Sequence, residues 1–172
     1  ANLKTIEQRD IEIEKGDTFL VKGDVDTAIA CYTAAIRLDP KSIDAFYKRG
    51  TSFSLKGNID REMADYAYIL QLDATNTATF NRRGMAFANM NAFDRAISNY
   101  SEAIRINPSF AEAYNNRALA YANQGQIEKS IVDLTQAIKV DSQSTNTYFN
   151  RAVMFNNSGQ LDKAISDYTE TI

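Results

Sequence analysis

Pairs of acidic residues that stand close together are the first candidates for chemistry in this sequence. Glu12 and Glu14 are two residues apart, as are Asp24 and Asp26, and two carboxylates can serve as general acid and general base in hydrolysis. The chain has no histidine, so it lacks the most common general base, nucleophile activator and metal ligand. The single cysteine, Cys31, cannot form a zinc site by itself. We therefore predict a protein that is not an enzyme, with no catalytic residue, metal site or cofactor, and we expect the acid pairs on solvated surface.

The seven glycines do not form a glycine-rich phosphate-binding loop. They fall instead into two series whose members are separated by 34 residues or by twice that number. The first series is predicted to allow close approach of two helices and the second to form turns. The series are Gly16, Gly50 and Gly84, and then Gly23, Gly57, Gly125 and Gly159.

The spacing of apolar residues in the stretch 111–144 predicts two helices joined by a turn. Tyr114, Ala118 and Tyr121 recur every three or four residues, so they line one face of a first helix. Gly125 interrupts this pattern. A second helical stripe follows it, which predicts a helical hairpin. The stripe consists of Ile127, Ile131, Leu134, Ala137 and Ile138.

The same pattern recurs one period of 34 residues upstream and downstream. The upstream matches are Phe80, Gly84, Phe87, Asn91, Ala96, Tyr100, Ala103 and Pro108, and the downstream matches are Tyr148, Ala152, Phe155, Gly159, Ala164 and Tyr168. This pattern resembles the tetratricopeptide repeat. The resemblance implies an all-α fold, a right-handed α-solenoid of about five helix-turn-helix repeats in a single array over 1–172. The repeats are expected at about 9–42, 43–76, 77–110, 111–144 and 145–172, the last being truncated.

A row of cations directly precedes the small residue of each first helix, and acids in the second helices could pair with it. We interpret this row as structural, with anion binding as the alternative. The cations are Lys15, Arg49, Arg83, Arg117 and Arg151, and the acids are Asp65, Asp133 and Asp167. Glu62 replaces a small residue in the second repeat, so we expect it to turn outward or to meet a cation such as Arg49.

The resemblance also implies a superhelix whose concave side is lined by the first helices and commonly binds peptides or partner helices. The residues predicted to face solvent there are Asp10, Ile13, Glu14, Asp17, Asp44, Tyr47, Lys48, Thr51, Asn81, Arg82, Met85, Asn89, Glu112, Asn115, Asn116, Asn123, Asn146, Phe149, Asn150, Asn156 and Asn157. From these we select a candidate peptide-binding groove consisting of Tyr47, Lys48, Asn81, Arg82, Asn115, Asn116, Asn123 and Asn150.

Asparagine both donates and accepts hydrogen bonds, so a row of asparagines can hold an extended peptide backbone with little dependence on its side chains. The alternative is that asparagine is simply frequent in this chain. Lys48 and Arg82, close to Tyr47, would favour an acidic or aromatic-flanked ligand. The family's cation-and-asparagine clamp for the acidic tails of heat-shock chaperones finds at most one suitable residue in any register, Arg82 or Asn116, so that partner is disfavoured.

The sequence therefore predicts a scaffold for protein–protein interaction. Two alternatives stay open: a recruiting arm of a larger enzyme, and an architectural module that associates with itself through an apolar end at Ile165, Tyr168 and Ile172. The formal net charge of −3 and a groove that begins acidic argue against nucleic acid, and no apolar run is long enough for a membrane span. The lone cysteine excludes an internal disulfide framework and leans toward a reducing compartment such as the cytoplasm. Because Ala1 is not methionine and Ile172 falls within a predicted helix, we expect a piece of a longer or processed chain.

Overall fold

The computed structural model describes residues 3–171, and this part of the chain contains ten α-helices and no strand. The helices are α1 (Leu3–Val21), α2 (Val25–Leu38), α3 (Ile43–Leu55), α4 (Ile59–Leu72), α5 (Thr77–Asn89), α6 (Phe93–Ile106), α7 (Ala111–Asn123), α8 (Ile127–Val140), α9 (Thr145–Asn157) and α10 (Leu161–Thr169). The predicted all-α class of helix-turn-helix repeats is confirmed. Within the described range, no helix combines the length and the apolar character needed to cross a bilayer.

Short turns join the two helices of each hairpin, and in the first two hairpins a side chain caps the second helix. After α3, Gly57 adopts a φ of 67°, which glycine tolerates without steric cost. The side chain of Asn58 then accepts a hydrogen bond from the backbone of Arg61 and caps α4. Asn91 takes the corresponding turn position after α5 with a φ of 57°, and asparagine is among the few other residues that occupy this region.

The chain divides into two compact units, one ending at Thr79 and the other beginning at Phe80. The prediction of one continuous array through both stays a prediction. In the first unit, Tyr32 and Tyr66 are completely buried at the centres of two apolar clusters. Ile13 belongs to the first cluster and is only 7% exposed. The prediction that it faces solvent was wrong, because that side of α1 packs against α2.

Glu62 is 3% exposed, so the predicted alternative in which it turns outward is wrong. Arg49 is the cation that the other alternative named, and its side-chain nitrogens contact both carboxylate oxygens of Asp65, at 2.9 and 2.7 Å. The predicted pairing of the cation row with aspartates of the second helices is confirmed here and at two positions in the second unit. Arg117 pairs with Asp133 and Arg151 pairs with Asp167, each at 2.7 Å.

In the second unit, buried tyrosine and leucine side chains of the second helices pack against small residues of the first helices. Tyr100 is 2% exposed and belongs to a cluster with Ala96 and Ala120. A Cβ atom added to Gly84 would lie 2.5 Å from the Tyr100 ring. The predicted reason for this glycine, close approach of two helices, is therefore confirmed.

Candidate functional site

The first helices carry the candidate groove, and in the first unit it is already internally paired. Lys48 on α3 donates a hydrogen bond of 2.5 Å to Asp17 on α1 and lies 3.9 Å from Asp44. The hydroxyl of Tyr32 also donates to Asp17, at 2.7 Å. Burial raises the pKa of Tyr32, and the hydrogen bond to Asp17 raises it further. Two carboxylates thus face one ammonium group, so this part of the surface does not favour the acidic ligand that Lys48 suggested.

Tyr47, the neighbouring candidate, is half-buried, and its ring centroid lies 6.2 Å from that of Tyr66. Tyr47 therefore combines a packed ring with a partly exposed edge. In the second unit, Arg82 is also half-buried. Both residues are accessible enough to contact a ligand.

Asparagine pairs link successive first helices in the second unit. Asn116 on α7 donates to the side-chain oxygen of Asn81 on α5 at 3.0 Å, and Asn81 in turn donates to Glu112 at 3.0 Å. Asn150 on α9 repeats the arrangement by donating to Asn115 on α7 at 3.0 Å. Both pairs are separated by 35 residues, one more than the period. Asn116 and Asn150 therefore each contact the residue that lies one position before their own equivalent on the preceding first helix.

Asn81 is 2% exposed, so the prediction that it faces solvent was wrong. Both ends of its amide are used by neighbours, and it acts as a buried support for Asn116. Asn115, Asn116 and Asn150 are half-buried and keep hydrogen-bonding capacity. One amide hydrogen bond occupies only part of the two donors and two acceptor lone pairs of each side chain.

An open pocket of about 180 Å³ lies beside Asn116, between α5 and α7. Its lining is mostly apolar with an amide rim, and consists of Met85, Ala88, Asn89, Phe93, Tyr100, Asn116, Leu119, Ala120 and Asn123. Asn123, the last residue of α7, is exposed, and its side chain donates to the backbone oxygen of Leu119 at 2.8 Å. The predicted residues Asn116 and Asn123 therefore meet at one pocket.

The sequence did not predict that Tyr100 and Phe93 line this pocket. The signal was present in the sequence: only the first repeat has a carboxylate at this position, Asp17, which accepts from Tyr32, and the third repeat has Met85. With no carboxylate at that position, the Tyr100 hydroxyl has no hydrogen-bond partner between residues 3 and 171, and it is not sealed from solvent. Tyr100 therefore contributes to the pocket lining a side chain whose hydroxyl is unpaired among the described residues.

The predicted apolar end is partly outside the described residues, since Ile172 is not among them. Ile165 is 63% exposed and Leu161 is 58% exposed on α10. Tyr168 is half-buried and packs against Phe149, with ring centroids 5.8 Å apart. Self-association through this face stays a prediction.

Sequence profiles identify the family. A profile described as "TPR repeat" matches residues 16–57 and 84–125, and one described as "Tetratricopeptide repeat" matches 111–144. Together they cover more than half of the chain. The chain belongs to the tetratricopeptide repeat (TPR) family. No curated protein sequence matches this TPR protein.

Solved structures share the TPR fold over nearly the whole chain. MamA is 24% identical and superposes with a TM-score of 0.79, over 91% of this chain and 91% of MamA. PilF of Pseudomonas aeruginosa is 18% identical, with a TM-score of 0.89 over 98% of this chain and 77% of PilF. YrrB, described as a TPR protein with an unusual peptide-binding site, is 18% identical, with a TM-score of 0.70 over 94% of this chain and 83% of YrrB. At these identities the likeness concerns the fold.

Membership of the TPR family defines the general role of the chain. TPR proteins are generally non-catalytic and bind protein or peptide partners. The chain is accordingly a protein–protein interaction scaffold. The remaining question is which surface does the binding.

Proposed function

We propose that the second unit binds an extended peptide along its first helices. The observation that carries this proposal is the pair of asparagine bridges, one of which includes Asn116 in the lining of an open pocket. The bridges hold the amides of Asn115, Asn116 and Asn150 in fixed positions. A peptide would therefore meet preorganised hydrogen-bonding groups, which lowers the entropic cost of binding.

The amides are suited to a peptide backbone because they supply both donors and acceptors. Asn116 and Asn150 each donate one hydrogen bond to the neighbouring helix and keep a second N–H and their carbonyl oxygen. An extended backbone presents N–H and C=O groups in alternation, so it can satisfy both kinds. Each such neutral hydrogen bond contributes about 0.5–1.5 kcal/mol.

The pocket supplies the selectivity that the amides lack. Met85 and Leu119 present apolar surface, and no charged side chain lines the pocket. A charged side chain of the ligand would lose its hydration there without gaining a partner. We expect an uncharged residue at this position, and the flexible Met85 can adapt to its shape.

The solved fold neighbour YrrB supports this assignment, because it is described as having a peptide-binding site on the same fold. Peptide binding of this kind would serve a free-standing scaffold and equally a recruiting arm of a larger enzyme. The chemistry of the groove is the same in both settings.

A peptide-display library selected on the immobilised chain would test the proposal. We expect the selected peptides to share one uncharged apolar position. The double variant Asn116→Ala/Asn150→Ala should weaken their binding by about 5- to 150-fold, which corresponds to the loss of two hydrogen bonds. Ala88→Leu should abolish the preference at the apolar position because the larger side chain fills the pocket.

The matched control is Ala30→Leu, the same substitution at an exposed position on α2, a second helix of the first unit. It should leave peptide binding unchanged. Selected peptides that bind the groove variants as tightly as the wild type, yet lose binding on substitution of second helices, would contradict the proposal.

A further inference from the structure

The cation row contains one member without a carboxylate partner. Arg49, Arg117 and Arg151 each contact both oxygens of an aspartate sixteen residues further on. Sixteen residues after Arg83 the chain has Asn99. The third hairpin therefore repeats the geometry of the row without its negative charge.

Asn99 satisfies only one part of the Arg83 guanidinium. Its side-chain oxygen accepts from Nε of Arg83 at 2.6 Å, and its amide nitrogen donates to the backbone oxygen of Arg95 at 2.8 Å. Within residues 3–171, Nη1 and Nη2 of Arg83 have no hydrogen-bond or ion-pair partner. Neither nitrogen is sealed from solvent. Two donor groups of a half-buried cation thus remain accessible.

The Arg83 guanidinium lies over the Phe80 ring, 5.4 Å from its centroid, but among the described residues no carboxylate pairs with its charge. Burial lowers the pKa of Arg83, whereas the hydrogen bond to Asp133 raises the pKa of Arg117 in the next hairpin. Arginine nevertheless stays protonated at neutral pH. The cost of burying the charge therefore persists at Arg83, and a carboxylate would reduce it.

A second cation adds to the imbalance. Arg95 on α6 lies over the ring of Phe87, 5.6 Å from its centroid, as Lys129 lies over Tyr121 at 5.4 Å in the fourth hairpin. In the fourth hairpin an aspartate offsets one of the two positive charges. In the third hairpin the corresponding residue is neutral.

The arginines equivalent to Arg83 line open clefts in two other hairpins. Arg49 lines an open cleft of about 320 Å³ and Arg117 lines one of about 290 Å³. The aspartate of each pair lines the same cleft. A ligand that approaches this register therefore meets the guanidinium group beside its partner.

We propose that Arg83, assisted by Arg95, binds a carboxylate supplied from outside the hairpin. A carboxylate matches the two-oxygen geometry that three equivalent arginines already contact. The source is either a free carboxylate or a glutamate or aspartate side chain of a protein partner. The site contains none of the groove residues and does not depend on the proposed peptide binding.

The test follows the Nε–H resonance of Arg83 by nitrogen-15 NMR, assigned by its absence in Arg83→Lys. Sodium acetate is titrated at constant ionic strength, with chloride replaced by acetate. We expect a saturable shift in the wild type. Asn99→Asp, which restores the internal carboxylate, should weaken acetate binding at Arg83 at least 10-fold. The matched variant Asp133→Asn should give Arg117 a new acetate response.

Two peptides distinguish the sources. If a blocked tetraglutamate binds at least 10-fold more tightly than acetate while tetraglutamine does not bind, the site accepts a protein side chain. If tetraglutamate binds no more tightly than acetate, the site accepts a free carboxylate. An Arg83 response that is the same in wild type and Asn99→Asp, or that follows ionic strength alone, would overturn the proposal.

Discussion

Replacing Gly84 by alanine should destabilise the third hairpin, even though alanine is the better helix former. A Cβ atom at this position would lie 2.5 Å from Cε1 and 2.7 Å from Cδ1 of Tyr100, and real Cβ atoms essentially never come within 3.0 Å of such neighbours. Tyr100 is only 2% exposed, and a shift of its ring toward the adjoining pocket would disrupt its cluster with Ala96 and Ala120.

Two opposing effects determine the size of the loss. Alanine gains about 1 kcal/mol over glycine within a helix. Overpacking of a dense core costs about 1–3 kcal/mol, and the short distance to Tyr100 places Gly84→Ala at the upper end. We therefore expect a net loss of about 2 kcal/mol in the free energy of unfolding. For a chain of this size that corresponds to a fall in Tm of about 4–8 °C.

The protein contains its own control for this prediction. In the fourth repeat, Ala118 and Leu134 occupy the positions of Gly84 and Tyr100, and both are fully buried. The double variant Gly84→Ala/Tyr100→Leu copies this pair. Thermal and urea unfolding of the wild type, both single variants and the double variant should give a favourable coupling of about 2 kcal/mol. Additive effects, or a Gly84→Ala variant as stable as the wild type, would refute the steric reasoning.

The remaining predictions concern charge and association. Asp133→Asn should lower the free energy of unfolding by about 1.5–3 kcal/mol in urea titrations, because Arg117 loses a charged hydrogen-bond partner. The hydrogen bond from Arg9 lowers the pKa of Asp39 in the folded state. The advantage of wild type over Asp39→Asn, about 0.5 kcal/mol, should therefore be full at pH 6. It should disappear as the pH falls below about 3.9 and through the folded pKa, and a constant difference between pH 6 and pH 2 would contradict this. If α10 mediates self-association, Ile165→Glu should reduce the molar mass measured by light scattering in concentrated solution, whereas a wild type that stays monomeric on concentration would exclude it.

The sequence by itself determined the helices, the turns and the family. These features depend on residues close together in the chain: apolar side chains at helical spacing, glycine at the turns, and a small residue opposite a large one. Arg117 and Asp133 are only sixteen residues apart in one hairpin, so their pairing could also be predicted. Local spacing suffices wherever the two partners belong to the same repeat.

Only the tertiary structure decided which polar side chains are accessible. Asn81 and Asn115 occupy equivalent positions in the sequence, yet Asn81 is buried and Asn115 is half-buried. The difference arises because Glu112, on the next first helix, accepts from Asn81. Helical periodicity identifies the side of a helix that a residue occupies, but it does not specify what the neighbouring hairpin places there.

Helical periodicity likewise does not specify the surroundings of the pocket or of Arg83. Tyr100 and Arg83 are visible in the sequence as ordinary members of their registers. Met85 lies at a position whose residue changes from repeat to repeat, and Asn99 replaces the aspartate that three other repeats carry. What those differences leave accessible, a hydroxyl in one case and two guanidinium nitrogens in the other, depends on the packing around them. Hydrogen bonding and desolvation act over a few ångströms in space, and the separation of residues along the chain does not determine those distances.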